Sequence, residues 1–166
     1  MPTGGGPPSY AHVRINSDGS VDVLAGTQDL GTGSRTILAQ IAAEALGARF
    51  ETVRAVIGDT ERLPYTGNSW GSMTTPSVGP AVRMAAEEAK MQLLEAAAQM
   101  MEVPLDTLST RDSQVVSSAG ASLTFGDLCR KLGNIQIVGR GSRGPNPELA
   151  VVTVGAFQGG LRENII

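Results

Sequence analysis

From Val82 to Met100 an apolar residue returns at every third or fourth position: Val82, Ala85, Ala89, Leu93, Ala96 and Met100. That period gathers them on one side of a helix, and a helix with one apolar side must lay it on another element. Pro80 suits a first helical turn, where a missing N–H costs nothing, so the spacing predicts a helix over 80–101. Arg83 with Glu87, and Glu87 with Lys90, are spaced to pair on its wet side. Met84, Met91, Met100 and Met101 read as core or gap-filling side chains. Aromatic residues make up only 4% of the chain, so the core must be aliphatic and rich in alanine.

Other segments give this helix something to cover. His12–Ile15 and Val21–Ala25 are short strand-like runs around Ser17-Asp18-Gly19, a hairpin pattern. Ser34–Leu46 reads as a helix through Ile37, Leu38, Ile41 and Ala45, with Gly47 where a left-handed C-cap belongs. Thr52–Ile57 alternates as a strand with Val53, Ala55 and Ile57 on one face. A β-β-α-β unit is then complete by Gly58, and the stretch from Gly58 to Gly79 has no period. Further on, Val103–Leu108 is a short connection holding Pro104. Gln114–Ser117 and Ser122–Thr124 form a small hairpin around Gly120. Phe125–Leu132 is one or two helical turns, and Ile135–Val138 is a strand. The expected fold is α+β: a mixed β-sheet with two main helices packed on it. Three regions follow: a Gly/Pro-rich segment 1–9, a folded lobe 10–138, and a stretch 139–166 that opens on the linker-like GRGSRGPNPE and ends in a tail.

Charge and composition remove several functions. The net charge is −3 and the basic residues are scattered, so the footprint of a nucleic-acid binder is missing. No apolar run approaches about 18 residues, and the first residues lack the pattern of a signal peptide, which points to a cytoplasmic protein without a membrane segment. One cysteine and one histidine exclude a disulfide framework, a paired-cysteine zinc site and a histidine cluster. With 21 glycines and 9 prolines in 166 residues, about 18%, against about 12% in an average protein, the chain is rich in turns. Its length allows one domain or two small lobes. Function must be built from glycines and hydroxyls.

Two loops hold them. GTQDLGTGSRT, Gly26 to Thr36, leads from a strand through Gly31-Thr32-Gly33 to a helix start, where unpaired N–H groups and the helix dipole suit an anion. Thr32 and Ser34 add hydroxyls and Arg35 a charge; the plainer reading is a tight turn with Ser34 as N-cap. The spacing completes neither the dinucleotide fingerprint nor a P-loop. GDTERLPYTGNSWGSMTTPSVGP, Gly58 to Pro80, carries Gly67, Gly71 and Gly79, the hydroxyls of Ser69, Ser72, Thr74, Thr75 and Ser77, and the sole tryptophan, Trp70. Loops this long are functional or merely surface. Elsewhere the readings are plain: His12 is structural, Asp59 and Glu61 cap a turn, and Cys129 is a small buried side chain. No nucleophilic triad is assembled from one histidine.

These two loops carry a resemblance. DVLAGTQDLGTGSRTILAQIAAEALG and VIGDTERLPYTGNSWGSMTTPSVGPAVRMAAEEA resemble the large, molybdenum-binding subunit of the xanthine dehydrogenase/aldehyde oxidase family, with a match running from about Tyr10 to Val138. The resemblance implies one lobe of a molybdopterin-binding domain in an oxidoreductase that hydroxylates aldehydes or N-heterocycles. Its cofactor would be molybdopterin, often as the cytosine dinucleotide, holding molybdenum without protein ligands. Gly31, Thr32, Gly33, Gly71, Ser72, Met73 and Thr74 would border it. Many members have Gly-Gln-Gly where this chain has Gly31-Thr32-Gly33, so the chain lacks the glutamine amide that the resemblance would place against the metal's oxo group. No segment matches the glycine-rich motif of the family's general-base glutamate, and Glu163 lacks that context. The implied partners are the remaining half of the molybdenum subunit and iron–sulfur and flavin subunits. The chain then reads as a catalytically incomplete piece of such an enzyme. Two other readings stay open: a non-catalytic module that self-associates into a homo-oligomer, and a generic phosphate or nucleotide binder.

Overall fold

The computed structural model describes residues 8–133 and 135–143. The chain begins with an antiparallel hairpin, β1 (Ser9–Ile15) and β2 (Val21–Ala25), in register Ile15 to Val21 and His12 to Leu24. Its turn is the expected one, with Gly19 at φ 87° and the Asp18 carboxylate accepting from the Ser20 N–H. Helix α1 (Ser34–Leu46) follows and ends at Gly47, whose φ of 73° is the left-handed cap anticipated there. A 3₁₀ turn, Phe50–Thr52, then feeds β3 (Val53–Ile57), which lies parallel to β2. The long helix α2 spans Thr74–Met101. After it come β4 (Leu108–Arg111), β5 (Gln114–Ser117) and β6 (Ser122–Thr124), the short helix α3 (Phe125–Leu132), and β7 (Ile137–Arg143).

Four strands form a mixed sheet in the order β3-β2-β1-β7, with β7 antiparallel to β1. A second, antiparallel sheet has the order β4-β5-β6. The α+β fold read from the sequence is the observed one. Alternation along β1 sends Ser9, Ala11, Val13 and Ile15 inward, and β2 adds Val21, Val23 and Ala25. Against them lie Leu38, Ala42 and Leu46 of α1 and Ala81, Ala85, Ala89 and Leu93 of α2, all fully buried. The core is aliphatic and rich in alanine, and the small side chains let α2 lie close to the sheet. A Cβ on Gly139 would fall directly on the Ala85 carbonyl and the Ala89 amide, and one on Gly141 on Ala81 and Ala85.

Several elements differ from expectation. α2 starts at Thr74, so Pro80 stands inside the helix and not in its first turn. Packing explains the longer helix: Ser77, Val78 and Gly79 are buried, Ser9 and Ser77 share a buried hydroxyl bond of 2.7 Å, and a Cβ on Gly79 would come within 3.1 Å of Ile41. Met84 and Met91 are exposed and not gap-filling, whereas Met100 and Met101 pack against the core. Gly33, and not Ser34, is the N-cap of α1. Strand β4 was not anticipated. It joins β5 through Asp112 and Ser113, both at positive φ (51° and 61°), the backbone of a two-residue type I′ hairpin. The last strand continues through GRGSR into the stretch read as linker-like, and pairs with β1 from Ile15–Ile137 to Ser9–Arg143. The expected tail from Val151, Glu163 included, lies outside the described residues.

Candidate functional site

Among the described residues, the mixed sheet has one parallel strand pair, β2 with β3. Both strands therefore deliver the chain to the same end of the sheet, and both long loops leave from there. The first runs from Gly26 to the start of α1. The second runs from Gly58 to the start of α2, passing along the end of β1 and β2: the Gly26 N–H donates to the Pro64 carbonyl (2.8 Å) and the Tyr10 N–H to that of Tyr65 (2.9 Å). Glycine is required at 26, because a Cβ would lie 2.7 Å from the Pro64 oxygen.

The loops are bonded to each other. Gln28 Oε1 accepts from the Ser69 N–H (3.1 Å), and Ser69 Oγ donates to the Gln28 carbonyl (3.0 Å). Ser69 Oγ also lies 3.0 Å from Thr74 Oγ1, which ties the junction to the first residue of α2. Leu30 and Trp70 flank this junction and are exposed, at 71% and 61%. Beneath it, Thr27 is fully buried and its Oγ1 has no hydrogen-bond partner among the described residues.

The anticipated site residues divide into two sets. Gly31, Thr32 and Gly33 are exposed, with Gly31 and Gly33 at positive φ (89° and 74°) and open space where a Cβ would stand. Their N–H groups, read from the sequence as an anion cradle, are engaged by the chain itself. Asp29 Oδ1 accepts from Gly31 (3.0 Å), Thr32 (3.0 Å) and Gly33 (3.2 Å), and Oδ2 from the Arg35 N–H (3.1 Å). The bond from Arg35, with those from the three turn residues, holds the Asp29 carboxyl below its ordinary range. Thr32 Oγ1 pairs with Ser34 Oγ at 3.0 Å, and Arg35 reaches the Ala55 carbonyl (3.4 Å). Sequence reasoning passed over Asp29, although an Asp two residues before a Gly-x-Gly turn is a familiar side-chain-to-backbone pattern.

The second set is more open. Gly71 and Ser72 are exposed and both left-handed (φ 52° and 58°), with open space beside Gly71. Met73 is half-buried; its N–H donates to the Trp70 carbonyl (3.0 Å), and its own carbonyl starts α2 by accepting from Ser77 (2.9 Å). No side chain caps α2. Asp59, by contrast, does cap a turn, accepting from Glu61 and Arg62, and Cys129 is buried with its thiol pKa raised by desolvation.

Among the described residues no three His, Cys, Asp or Glu side chains gather to hold a metal ion. The groups that the loops present are hydroxyls and backbone beside open glycines. A cleft of about 1070 Å³ lies elsewhere, by the start of β2 and β3. Arg14, Arg49, Arg54 and Arg130 line it together with Asp18, Asp22, Glu51 and Asp112. No helix among the described residues is long and apolar enough to cross a membrane.

Known proteins resemble the chain in sequence and in fold. A nicotinate dehydrogenase subunit of Pseudomonas putida is 40% identical over 116 residues, which cover 70% of this chain and 10% of that one. The probable hypoxanthine oxidase XdhD of Escherichia coli is 31% identical over 134 residues, 78% of this chain and 14% of that one. The reconstituted CO dehydrogenase from Oligotropha carboxidovorans superposes with a TM-score of 0.70 at 28% identity, over 83% of this chain and 18% of that one. The chain thus spans less than a fifth of the length of these relatives. The sequence model of the molybdopterin cofactor-binding domain matches residues 2–157, and the chain belongs to that family.

Proposed function

We infer that the two-loop end of the sheet is one wall of a molybdopterin site in a molybdenum hydroxylase. Gly31, Thr32, Gly33, Gly71, Ser72, Met73 and Thr74 border the cofactor in this reading. The observation that carries it is the pairing of two glycine loops, bonded through Gln28 and Ser69, at the end of the parallel strands. When bound, the cofactor would supply the two-electron redox chemistry of the hydroxylation. The chain's own part is positional. Open space at Gly31, Gly33 and Gly71 admits a flat ring system to the backbone, and Asp29 keeps the first turn rigid. The open second loop, with Ser72 exposed, is the better place for the anionic phosphate, and a cytosine dinucleotide form is consistent with it. The substrate class is an aldehyde or N-heterocycle, in line with the nicotinate and hypoxanthine in the relatives' names. Iron–sulfur and flavin subunits are the proposed electron acceptors, and the cytoplasm the proposed compartment.

The test is a titration of the isotope-labelled chain with purified molybdopterin, followed by amide NMR. Shifts centred on Gly31–Gly33 and Gly71–Thr74 are expected. A titration that moves only the arginine-lined cleft, or nothing, overturns the assignment. The exposure of Leu30 and Trp70 favours a second reading, in which this end binds another protein surface. Loss of binding to a companion subunit in Trp70→Ser, with NMR shifts from the cofactor intact, separates the two.

A further inference from the structure

The mixed sheet ends in β7, whose outer edge has no strand beside it among the described residues. That edge is nevertheless occupied. Successive N–H groups of a strand point to opposite edges, so every second residue of β7 presents its backbone outward. At Val138 the Gln92 side chain of α2 makes both bonds that a neighbouring strand would make: its Nε2 donates to the Val138 carbonyl (3.0 Å) and its Oε1 accepts from the Val138 N–H (3.2 Å). Two residues on, Glu88 Oε2 accepts from the Arg140 N–H at 2.6 Å. Glu88 and Gln92 stand one turn apart on the same side of the helix. They reach the strand because Gly139 and Gly141, lacking side chains, let the β7 backbone lie directly against Ala81, Ala85 and Ala89.

Unpaired strand edges are templates for further strands. We propose that Glu88 and Gln92 mask a strand-accepting edge, and that the partner they hold off is β7 of a second copy of this chain. Two β7 edges are self-complementary about a two-fold axis. A register centred on Gly139 sets Val138 of one copy against Arg140 of the other and uses both N–H groups that the mask now holds. The mask accounts for how a seven-residue edge strand is held back from pairing with a second copy.

The double variant Glu88→Ala/Gln92→Ala tests this, since alanine preserves α2. The wild-type chain is expected to scatter light as a monomer across concentration, with slow hydrogen exchange at Val138 and Arg140. In the dilute double variant those two amides should exchange about tenfold faster, the loss of roughly one hydrogen bond each. On concentration it should form a dimer in which they are protected again. Adding Arg140→Pro, a residue tolerated where an N–H faces outward on an edge, should return it to monomer. Gln92→Ala alone should speed exchange at Val138 and leave Arg140 slow. A folded double variant that stays monomeric at every concentration overturns the proposal. So does a dimer that leaves Val138 and Arg140 in fast exchange, or a wild-type dimer paired through β7.

Discussion

Asp22 stands on the face of β2 away from the helices, yet its side chain is fully buried. Arg54 Nε (2.5 Å) bonds one carboxylate oxygen, and Arg14 Nη2 (2.6 Å) and Asn16 Nδ2 (3.1 Å) bond the other. Burial alone pushes this carboxyl up, but the bonds from Arg54, Arg14 and Asn16 outweigh it and bring the pKa to about 2. Because that is below the value in an unfolded chain, the network contributes stability at neutral pH and loses it as pH falls from about 4 to about 2. Asp22→Asn should cost about 2 kcal/mol near neutrality, a figure held down by the exposed Arg54, and should flatten the acid limb of urea melts collected against pH. Asp29 presents a simpler case on the surface. Asp29→Ala strips the acceptor from four N–H groups at the start of α1, so amide exchange at Gly31–Gly33 should quicken and the melting temperature fall slightly. A variant with unchanged exchange there would show that the carboxylate is not what orders the turn.

Between elements, the decisive contact is glycine strand on alanine helix. Gly139→Ala or Gly141→Ala drives a methyl into the α2 backbone, and each should cost about 3 kcal/mol in denaturant melts. Gly120→Ala, in open space but at φ 89°, should cost only about 1 kcal/mol. These elements also show what a sequence reveals and what it hides. The stripe from Val82 to Met100 marks α2 through its period, and Gly47 marks the end of α1. The first turns of α2 are obscured by Pro76, Gly79 and Pro80, residues that oppose a helix locally. Contacts with Ser9 and Ile41 from distant segments hold them helical. Strand β4 is hidden for a different reason: Leu-Ser-Thr-Arg has almost no apolar alternation, and its Asp-Ser turn lacks the glycine that usually announces a type I′ hairpin.

At the scale of the molecule, the end bearing both loops was legible as glycines and hydroxyls, because those residue types cluster in the chain. Its inner bonding was not. Gln28 meets Ser69 across forty-one positions, and no local period reports such a pair. The sole tryptophan is a convenient reporter of that end. Trp70 should emit as a solvated indole and be readily quenched by iodide, and a partner or cofactor covering the loops should shift the emission blue and protect it. Unchanged quenching in a saturated complex would place the contact elsewhere. A last consequence comes from the register of β7. By pairing Arg143 with Ser9, the last strand among the described residues returns beside the point where β1 set out, roughly 5 Å away. The first and last strands among the described residues are thus neighbours, and their outer ends lie side by side. Such a unit should survive circular permutation, with Arg143 rejoined to Ser9 by a few glycines and new ends opened at the Gly120 turn.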